Sequence, residues 1–513
     1  MEIEDAYALL ELPEDFDIGE IDAYFGPKVD EALADDDFAS AKELREARSL
    51  VIQYLEDENR EFNLVLKILE TSSKSILIMG KAGTGKSRLI RQILAESREG
   101  YAACASTGVA AINIEVSTVH SLFGIGSKVI GQDQEFFKKY STDKLEILKR
   151  IKTLIIDEIS MVNADLLDTI NKLFQMAHKN AKQFGGVRIV MVGDPFQLGP
   201  IPPREKEARD YLKAAYPSLW FFDAMVWSES ASTEGNKFQV FELTQARRQA
   251  DKDFVQVLDN IRGGVATTKD FEYLNKKCYG KKPRVAQAVK LAGRNDKVDD
   301  INFGELAKIK EPEVKFTGQE LSLVAGTKFI EEGMRYPAEK ELILKKGAHV
   351  MFVKNDDQNE SAKKRWANGT TGIITGFGEN NASVFVRIDE EIVEVVTSTW
   401  TKPVYTLVEV KNPVDKQDKK VLKAVDGATY TQIPLRLAWA ITIHKSQGQT
   451  YDNVVVDLHE GTWAGGQAYV ALSRVREIEG MVLEHQITPQ NVKVDTDAKL
   501  WLSRTSILNK PSK

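Results

Sequence analysis

Gly80-Lys-Ala-Gly-Thr-Gly-Lys-Ser87 lies between an apolar run, Ser75-Ile-Leu-Ile-Met79, and a stretch of helical pattern, Arg88-Leu-Ile-Arg-Gln-Ile-Leu94. The order reads strand, loop, helix. Gly80, Gly83 and Gly85, with Ala82 and Thr84 between them, let backbone N–H groups turn inward around a polyphosphate. The following helix then offers its positive N-terminus to the same anion. Lys86 is placed for the β- and γ-phosphate oxygens, Ser87 for a magnesium ion, and Arg88 stands beside them in the first helical turn. The expected ligands are ATP and Mg2+.

A second stretch, Thr153-Leu-Ile-Ile-Asp-Glu158, is a buried strand that ends in two carboxylates. Asp157 is expected to hold the magnesium ion through its water shell. Glu158, one residue on, is expected to polarise the attacking water as general base. Together the two stretches predict hydrolysis of the nucleotide as well as binding.

The chain has 513 residues, enough for two to four domains, and its 42% hydrophobic content is ordinary for a soluble protein. No apolar run approaches the roughly 18 residues of a membrane span, and the acidic N-terminus lacks the basic and apolar parts of a secretion signal. A cytoplasmic protein is expected, without a membrane partner. Cys104 and Cys278 are too few for a metal cluster, and the apolar context of Cys104 predicts a reduced core thiol. Charge is uneven: the first 60 residues hold 19 acidic against 5 basic side chains, or −14, which leaves +7 on the remainder of a chain of net −7. Such a distribution fits a polyanion-binding body joined to a separate acidic module. It equally fits a solvated acidic surface.

Residues 1–58 carry apolar positions at helical spacing, broken near Pro13 and at Gly26-Pro27, and are expected to form a small helical module that could take a protein partner. The order from Asp5 to Pro13, then Ile18 to Tyr24, then a charged helix through Leu55 is similar to the start of a J-domain, without its His-Pro-Asp tripeptide. Residues 59–230 alternate helices with short buried strands, as a parallel α/β sheet does. A second α/β pattern occupies 231–340 and 434–513, with strands expected near Phe241 and Leu435. Between them, 341–433 turns to β-type runs such as Ala348–Val353, Ser383–Ile388 and Val404–Val410, separated by turn signals at Asn368-Gly369 and Asn380-Asn381. A small inserted β-barrel is the expectation.

Two arginine-bearing segments, Gln245-Ala-Arg-Arg-Gln249 and Gln467-Ala-Tyr-Val-Ala-Leu-Ser-Arg-Val-Arg476, could supply charge to the γ-phosphoryl group across a cleft. With Ala105-Ser-Thr-Gly-Val-Ala-Ala111, Thr118-Val-His-Ser121, Asp157-Glu-Ile-Ser-Met-Val162, Phe184-Gly-Gly186, Gly193-Asp-Pro-Phe-Gln-Leu198, Ala440-Ile-Thr-Ile-His-Lys-Ser-Gln-Gly448 and Ala471-Leu-Ser-Arg474, they complete an ordered series. Over about residues 60–490 the chain resembles the superfamily-one DNA helicases of the petite integration frequency (PIF) family, which are related to RecD-type enzymes.

The resemblance implies two RecA-like parallel-sheet lobes with ATP between them, an SH3-like β-barrel inserted in the second, and a duplex-splitting wedge at about 123–149. It makes Gln197 a γ-phosphate sensor and Arg248 and Arg474 the arginines of the second lobe, Arg248 being preferred to Arg247 because it precedes Gln249. The family's adenine-reading glutamine is replaced here by Asn63, which has the same amide on a shorter arm. DNA would be met by Ser106, Thr107, Gly108, Thr118, His120 and Ser121 on the first lobe. On the second it would be met by Asn295, Thr442, His444, Lys445 and Ser446. Trp366 and Trp400 admit two readings, stacking on bases or packing in the barrel.

The implied activity is that of an ATP-dependent helicase moving 5′→3′ on single-stranded DNA and opening duplex, forked or structured DNA, as a monomer. An RNA or RNA–DNA hybrid helicase shares the same motor chemistry. A DNA-independent ATPase switch on a protein scaffold is the third reading. Dependence on 2′-hydroxyls, or indifference to DNA, would single these out.

Overall fold

The computed structural model describes residues 6, 9–10, 21–34, 37–96, 99–125, 129–131, 134–203, 205–232, 238–245, 251–285, 288–330, 335–356, 365–366, 368–388, 390–411, 418–459 and 462–510. The chain divides after Ser73 into two compact units. In the first, Asp37 caps the helix Phe38–Thr71 by accepting the Ser40 N–H at 3.0 Å. Leu44, Ala47 and Val51 recur at helical spacing and bury Val29 from the helix Ile21–Ala34, with Tyr24 and Phe25 alongside. The expected break at Gly26-Pro27 does not occur. A proline inside a helix costs about 3 kcal/mol, and burial of the neighbouring side chains holds the helix together through it. The expected module limit at residue 58 also falls inside a helix, since Phe38–Thr71 continues until the Ser72 N–H closes on the Ile68 carbonyl.

The second unit begins with a six-stranded parallel sheet: β1 (Ile76–Gly80), β2 (Tyr101–Ala105), β3 (Ser117–Thr118), β4 (Thr153–Asp157), β5 (Arg188–Gly193) and β6 (Gln239–Leu243). Its order is β3-β2-β4-β5-β1-β6. β1, β4 and β5 are buried along their whole length, because helices cover both faces of a parallel sheet, and this is why they read as unbroken apolar runs. Leu77, Cys104, Leu154 and Met191 meet Leu173 and Phe174 of the helix Ala164–His178 in the core. The Cys104 thiol is buried, and burial pushes its pKa up.

Two expected boundaries are corrected by pairing. β6, read as opening the second lobe, instead lies parallel to β1, with Phe241 opposite Ile78. The C-terminal segment also returns to this first sheet. The Leu508 N–H donates to the Val240 carbonyl at 2.8 Å, and Asn509 bonds the backbone of Glu242 at both its N–H and its carbonyl. Trp501, from the helix Thr496–Arg504, stacks on Phe222 at 4.8 Å and 7°. Such a pair contributes about 0.5–1.5 kcal/mol beyond its burial.

The remaining strands are β7 (Val289–Ala292), β8 (Val314–Thr317), β9 (Gln319–Ser322), β10 (Glu341–Leu344), β11 (His349–Phe352), β12 (Thr371–Phe377), β13 (Val384–Ile388), β14 (Glu391–Val395), β15 (Ser398–Lys411), β16 (Asp418–Gln432), β17 (Leu435–Leu437), β18 (Ala440–Thr442), β19 (Val454–Asp457) and β20 (Met481–Leu483). A four-stranded parallel sheet, β18-β7-β19-β20, forms the second lobe. The inserted strands are antiparallel, but among the described residues they close no barrel. They form an open sheet β14-β13-β12-β11-β17, a sheet β15-β16-β9 and the pair β10-β8, so the antiparallel region starts at Val314 rather than 341. Trp366 stacks on Phe352 at 4.5 Å and Trp400 on Tyr430 at 5.8 Å. Both are buried, and packing rather than base stacking is their role. Among the described residues no helix is long and apolar enough to cross a membrane.

Candidate active site and nucleic-acid cleft

β4, β5 and β1 are neighbours in the sheet, and all three end at one edge, where open α/β sheets bind ligands. β1 runs into the glycine-rich loop. Gly83 and Gly85 adopt φ of 82° and 83°, and a Cβ at Gly80 would meet Thr84 Oγ1 at 2.4 Å. Lys86 opens the helix Lys86–Ala95 and turns Nζ back onto the Gly80 and Lys81 carbonyls at 2.8 and 2.9 Å. Ser87 and Arg88 follow in the first turn, with Arg88 exposed.

β4 delivers Asp157, which accepts the Glu158 N–H at 2.8 Å. Glu158 itself takes a left-handed φ of 51°, a conformation that costs about 1–3 kcal/mol and persists where its surroundings fix it. Burial, and then the Glu158 carboxylate, push the Asp157 pKa up, against the pull of Lys86 and Arg91. Two buried carboxylates ahead of a serine hydroxyl form a donor set that suits a hard divalent cation, and these residues fit magnesium.

β5 leads to Asp194 and Gln197, and here the second lobe enters. Asp194 is fully buried and is clamped by Arg262, with Nη2 at 2.8 Å and Nε at 3.2 Å, while Gln197 Nε2 donates to it at 3.3 Å. Burial alone would raise the Asp194 pKa, but the Arg262 charge and hydrogen bonds bring it below the usual range. Two more contacts reach the phosphate loop: Lys81 pairs with Asp259, and Tyr469 Oη accepts the Ala82 N–H at 2.8 Å. Arg474 is buried, with its guanidinium on the carbonyls of Val470, Ser446 and Gln449 and on Ser473 Oγ. Arg248 lies outside the described residues. Asn63 is exposed on the helix Phe38–Thr71 of the first unit.

Of the residues expected to meet nucleic acid, Thr107, Gly108, Thr118, His444 and Lys445 line one cavity of ≈ 320 Å³ together with Glu158 and Gln447, whereas Ser106, His120, Ser121, Asn295, Thr442 and Ser446 are not part of its lining. Their hydroxyls are engaged within the fold. Thr107 and Thr118 cap short helices by accepting the Ala110 and Ser121 N–H groups, each at 3.2 Å, and Ser106 Oγ donates to the Glu158 carbonyl at 2.8 Å. Thr442 Oγ1 accepts the Lys445 N–H at 3.3 Å, and Ser446 Oγ donates to the Ile443 carbonyl at 2.8 Å. His444 stacks on Trp463 at 5.0 Å, and burial lowers its pKa. His120 and Ser121 lie in the short helix Val119–Phe123, and Asn295 opens the helix Asn295–Lys308.

The family described as PIF1-like helicase matches residues 54–272. ATP-dependent DNA helicase Pif1 of Bdellovibrio bacteriovorus is 33% identical over 431 residues, covering 83% of this chain and 87% of that protein. The chain belongs to the PIF1-like helicase family. Bacteroides Pif1 in complex with ADP-AlF4 aligns at a TM-score of 0.72 with 31% identity, and the single-stranded-DNA-bound form at 0.60 with 32% identity. Each alignment covers 86% of this chain and 96% of the other.

In this PIF1-like helicase several site residues escaped the sequence reading. Arg262 sits in the last turn of the helix Lys252–Gly263 with no motif around it, and only burial reveals it. Gln447 stood in a quoted motif without a role. Arg335, Tyr336, Lys402 and Arg436 line the cavity from the inserted region, where basic residues beside an aromatic were the available signal.

Proposed function

We propose that this chain moves 5′→3′ along single-stranded DNA and unwinds duplex or forked DNA ahead of it, acting as a monomer. As a member of the PIF1-like helicase family it is an ATP-dependent DNA helicase. Direction, tracked strand and residue roles are what the proposal adds. The direction rests on the family resemblance, and one observation supports the coupling of hydrolysis to strand grip: Glu158 stands at the end of β4, beside the phosphate loop, and also in the wall of the cavity lined by Lys445 and His444. Hydrolysis and strand grip therefore share a wall.

In this reading Lys86 and the loop N–H groups hold the phosphates, Gln197 senses the γ-phosphate, and Arg248 and Arg474 approach it from the second lobe. Lys86 must exchange the Gly80 and Lys81 carbonyls for phosphate oxygens, and Tyr469 must leave the Ala82 N–H. Ser87 and Asp157 would hold magnesium, which supplies neutralising charge at the β- and γ-phosphates when bound. Residues 123–149 meet the duplex junction, and the acidic N-terminal module takes a protein partner. Asn295, Thr442 and Ser446, with Ser106, Thr107, Gly108, Thr118, His120 and Ser121, present helix and turn termini to the DNA backbone.

The test is the ATPase rate with matched single-stranded DNA and RNA. DNA is expected to stimulate the wild-type chain and to leave Lys86→Ala inactive. Equal stimulation by RNA would contradict the DNA assignment.

A further inference from the structure

Glu158 is held from both lobes. Its main-chain oxygen accepts Ser106 Oγ, and its carboxylate Oε2 accepts Gln447 Nε2 at 3.0 Å. Gln447 belongs to the turn that follows β18 and carries His444, Lys445 and Ser446. Its own N–H closes on the His444 carbonyl at 3.3 Å. The residue is 7% exposed. Its orientation is forced, because the opposite one would set the amide oxygen against a carboxylate oxygen, and both only accept.

The other half of the amide is the informative one. Gln447 Oε1 is buried and has no hydrogen-bond partner among the described residues. A buried acceptor left unmet is destabilising, so a donor is expected there. This one lies beside a carboxylate, and both side chains border the same cavity. Two acceptors side by side suit a water molecule, which has two O–H bonds to donate.

We propose that Gln447 is a positioning residue for ATP hydrolysis: Nε2 fixes the Glu158 carboxylate while Oε1 accepts one hydrogen of the attacking water. The inference rests on Glu158 being the general base. The water oxygen bonds to the γ-phosphorus, the bond from phosphorus to the β,γ-bridging oxygen breaks, and its electron pair leaves with ADP. The proton lost by the water passes to Glu158, and Gln447 neither gains nor loses one. Because the same turn carries Lys445, a DNA backbone pressed against it sets the position of Gln447.

The experiment compares wild type with Gln447→Met, which keeps the shape and removes both amide groups, and with Gln447→Glu, which sets a second carboxyl group against Glu158 in place of the amide donor. At saturating single-stranded DNA both variants are expected to lose about 100-fold in kcat, the scale of a misplaced reacting group. KM for ATP and Kd for DNA should stay within about twofold, the pattern of an interaction made in the transition state. Glu158→Gln is measured alongside. Its full activity would remove the base assignment and this inference with it. If Glu158→Gln is inactive while Gln447→Met keeps wild-type kcat, the base stands and the positioning role is overturned. Loss of cooperative melting or of DNA binding in both Gln447 variants would assign the residue to the fold and overturn it equally.

Discussion

Lys86 and Glu158 meet the nucleotide at different moments. The lysine binds phosphate in the ground state, whereas the carboxylate acts on the water. Lys86→Ala is therefore expected to lose nucleotide binding, and Glu158→Gln to bind ATP normally while turning over about 10²–10⁴-fold more slowly. Titration with a fluorescent nucleotide and a steady-state ATPase assay separate the two, and wild-type turnover by Glu158→Gln would remove the base assignment. Lys445 offers a second handle. Burial first, then Arg436 and Arg335, push its pKa down from 10.5 to about 8. Between those values the folded chain holds fewer protons than the unfolded one, so this group contributes increasing stability as pH rises through the window. DNA phosphate favours the charged form, so DNA affinity should fall as pH rises through 8. Lys445→Arg should flatten that dependence in binding titrations on either side of pH 8. The hydroxyls of Thr107, Thr118, Thr442 and Ser446 show why roles at this scale were only partly legible. Small hydroxyl residues at helix and turn starts carry the same sequence signal whether they hold phosphate or cap their own backbone; here Thr107, Thr118 and Thr442 accept backbone N–H groups and Ser446 donates to the Ile443 carbonyl.

The contact between lobes that local pattern could not show is Arg262 on Asp194, with Glu242 3.9 Å away. All three are at least nine-tenths buried. Arg262→Ala leaves the Asp194 carboxylate buried without its counter-charge and is expected to cost about 3–5 kcal/mol, read as a lower thermal midpoint with reduced ATPase. An unchanged midpoint would mean that water or Lys510 replaces the guanidinium. Strand identity was legible where burial on both faces gives continuous apolar runs, as in β1 and β4. Partnership was not: β6 looks like the start of a new domain, yet it pairs with β1, and the Trp501 segment returns to the first sheet from the far end of the chain. Barrel closure is not seen among the described residues, for the same reason. Alternation along 341–433 yields strands, whereas closure depends on which first and last strands meet, and here β14 and β17 end an open sheet.

Across the whole molecule, the first 60 residues carry −14 against +7 on the remainder. The structural division falls after Ser73, so a chain starting at Lys74 is expected to melt cooperatively, whereas a cut at 58 would sever the helix Phe38–Thr71. If the acidic segment competes with DNA, its removal tightens DNA binding most at low salt, where the Debye length exceeds the roughly 10 Å of 0.1 M. Equal affinities of the full and shortened chains at two salt concentrations would exclude that competition. The proposed motor grips single-stranded DNA between two lobes and advances 5′→3′ with each ATP. It is tested by unwinding of otherwise identical DNA duplexes that bear a 5′ or a 3′ single-stranded tail, with ATP and magnesium present. Strand separation is expected from the 5′ tail and none from the 3′ tail, and Glu158→Gln is expected to lose it. Unwinding from the 3′ tail, or from neither while ATP is hydrolysed, would contradict the proposal.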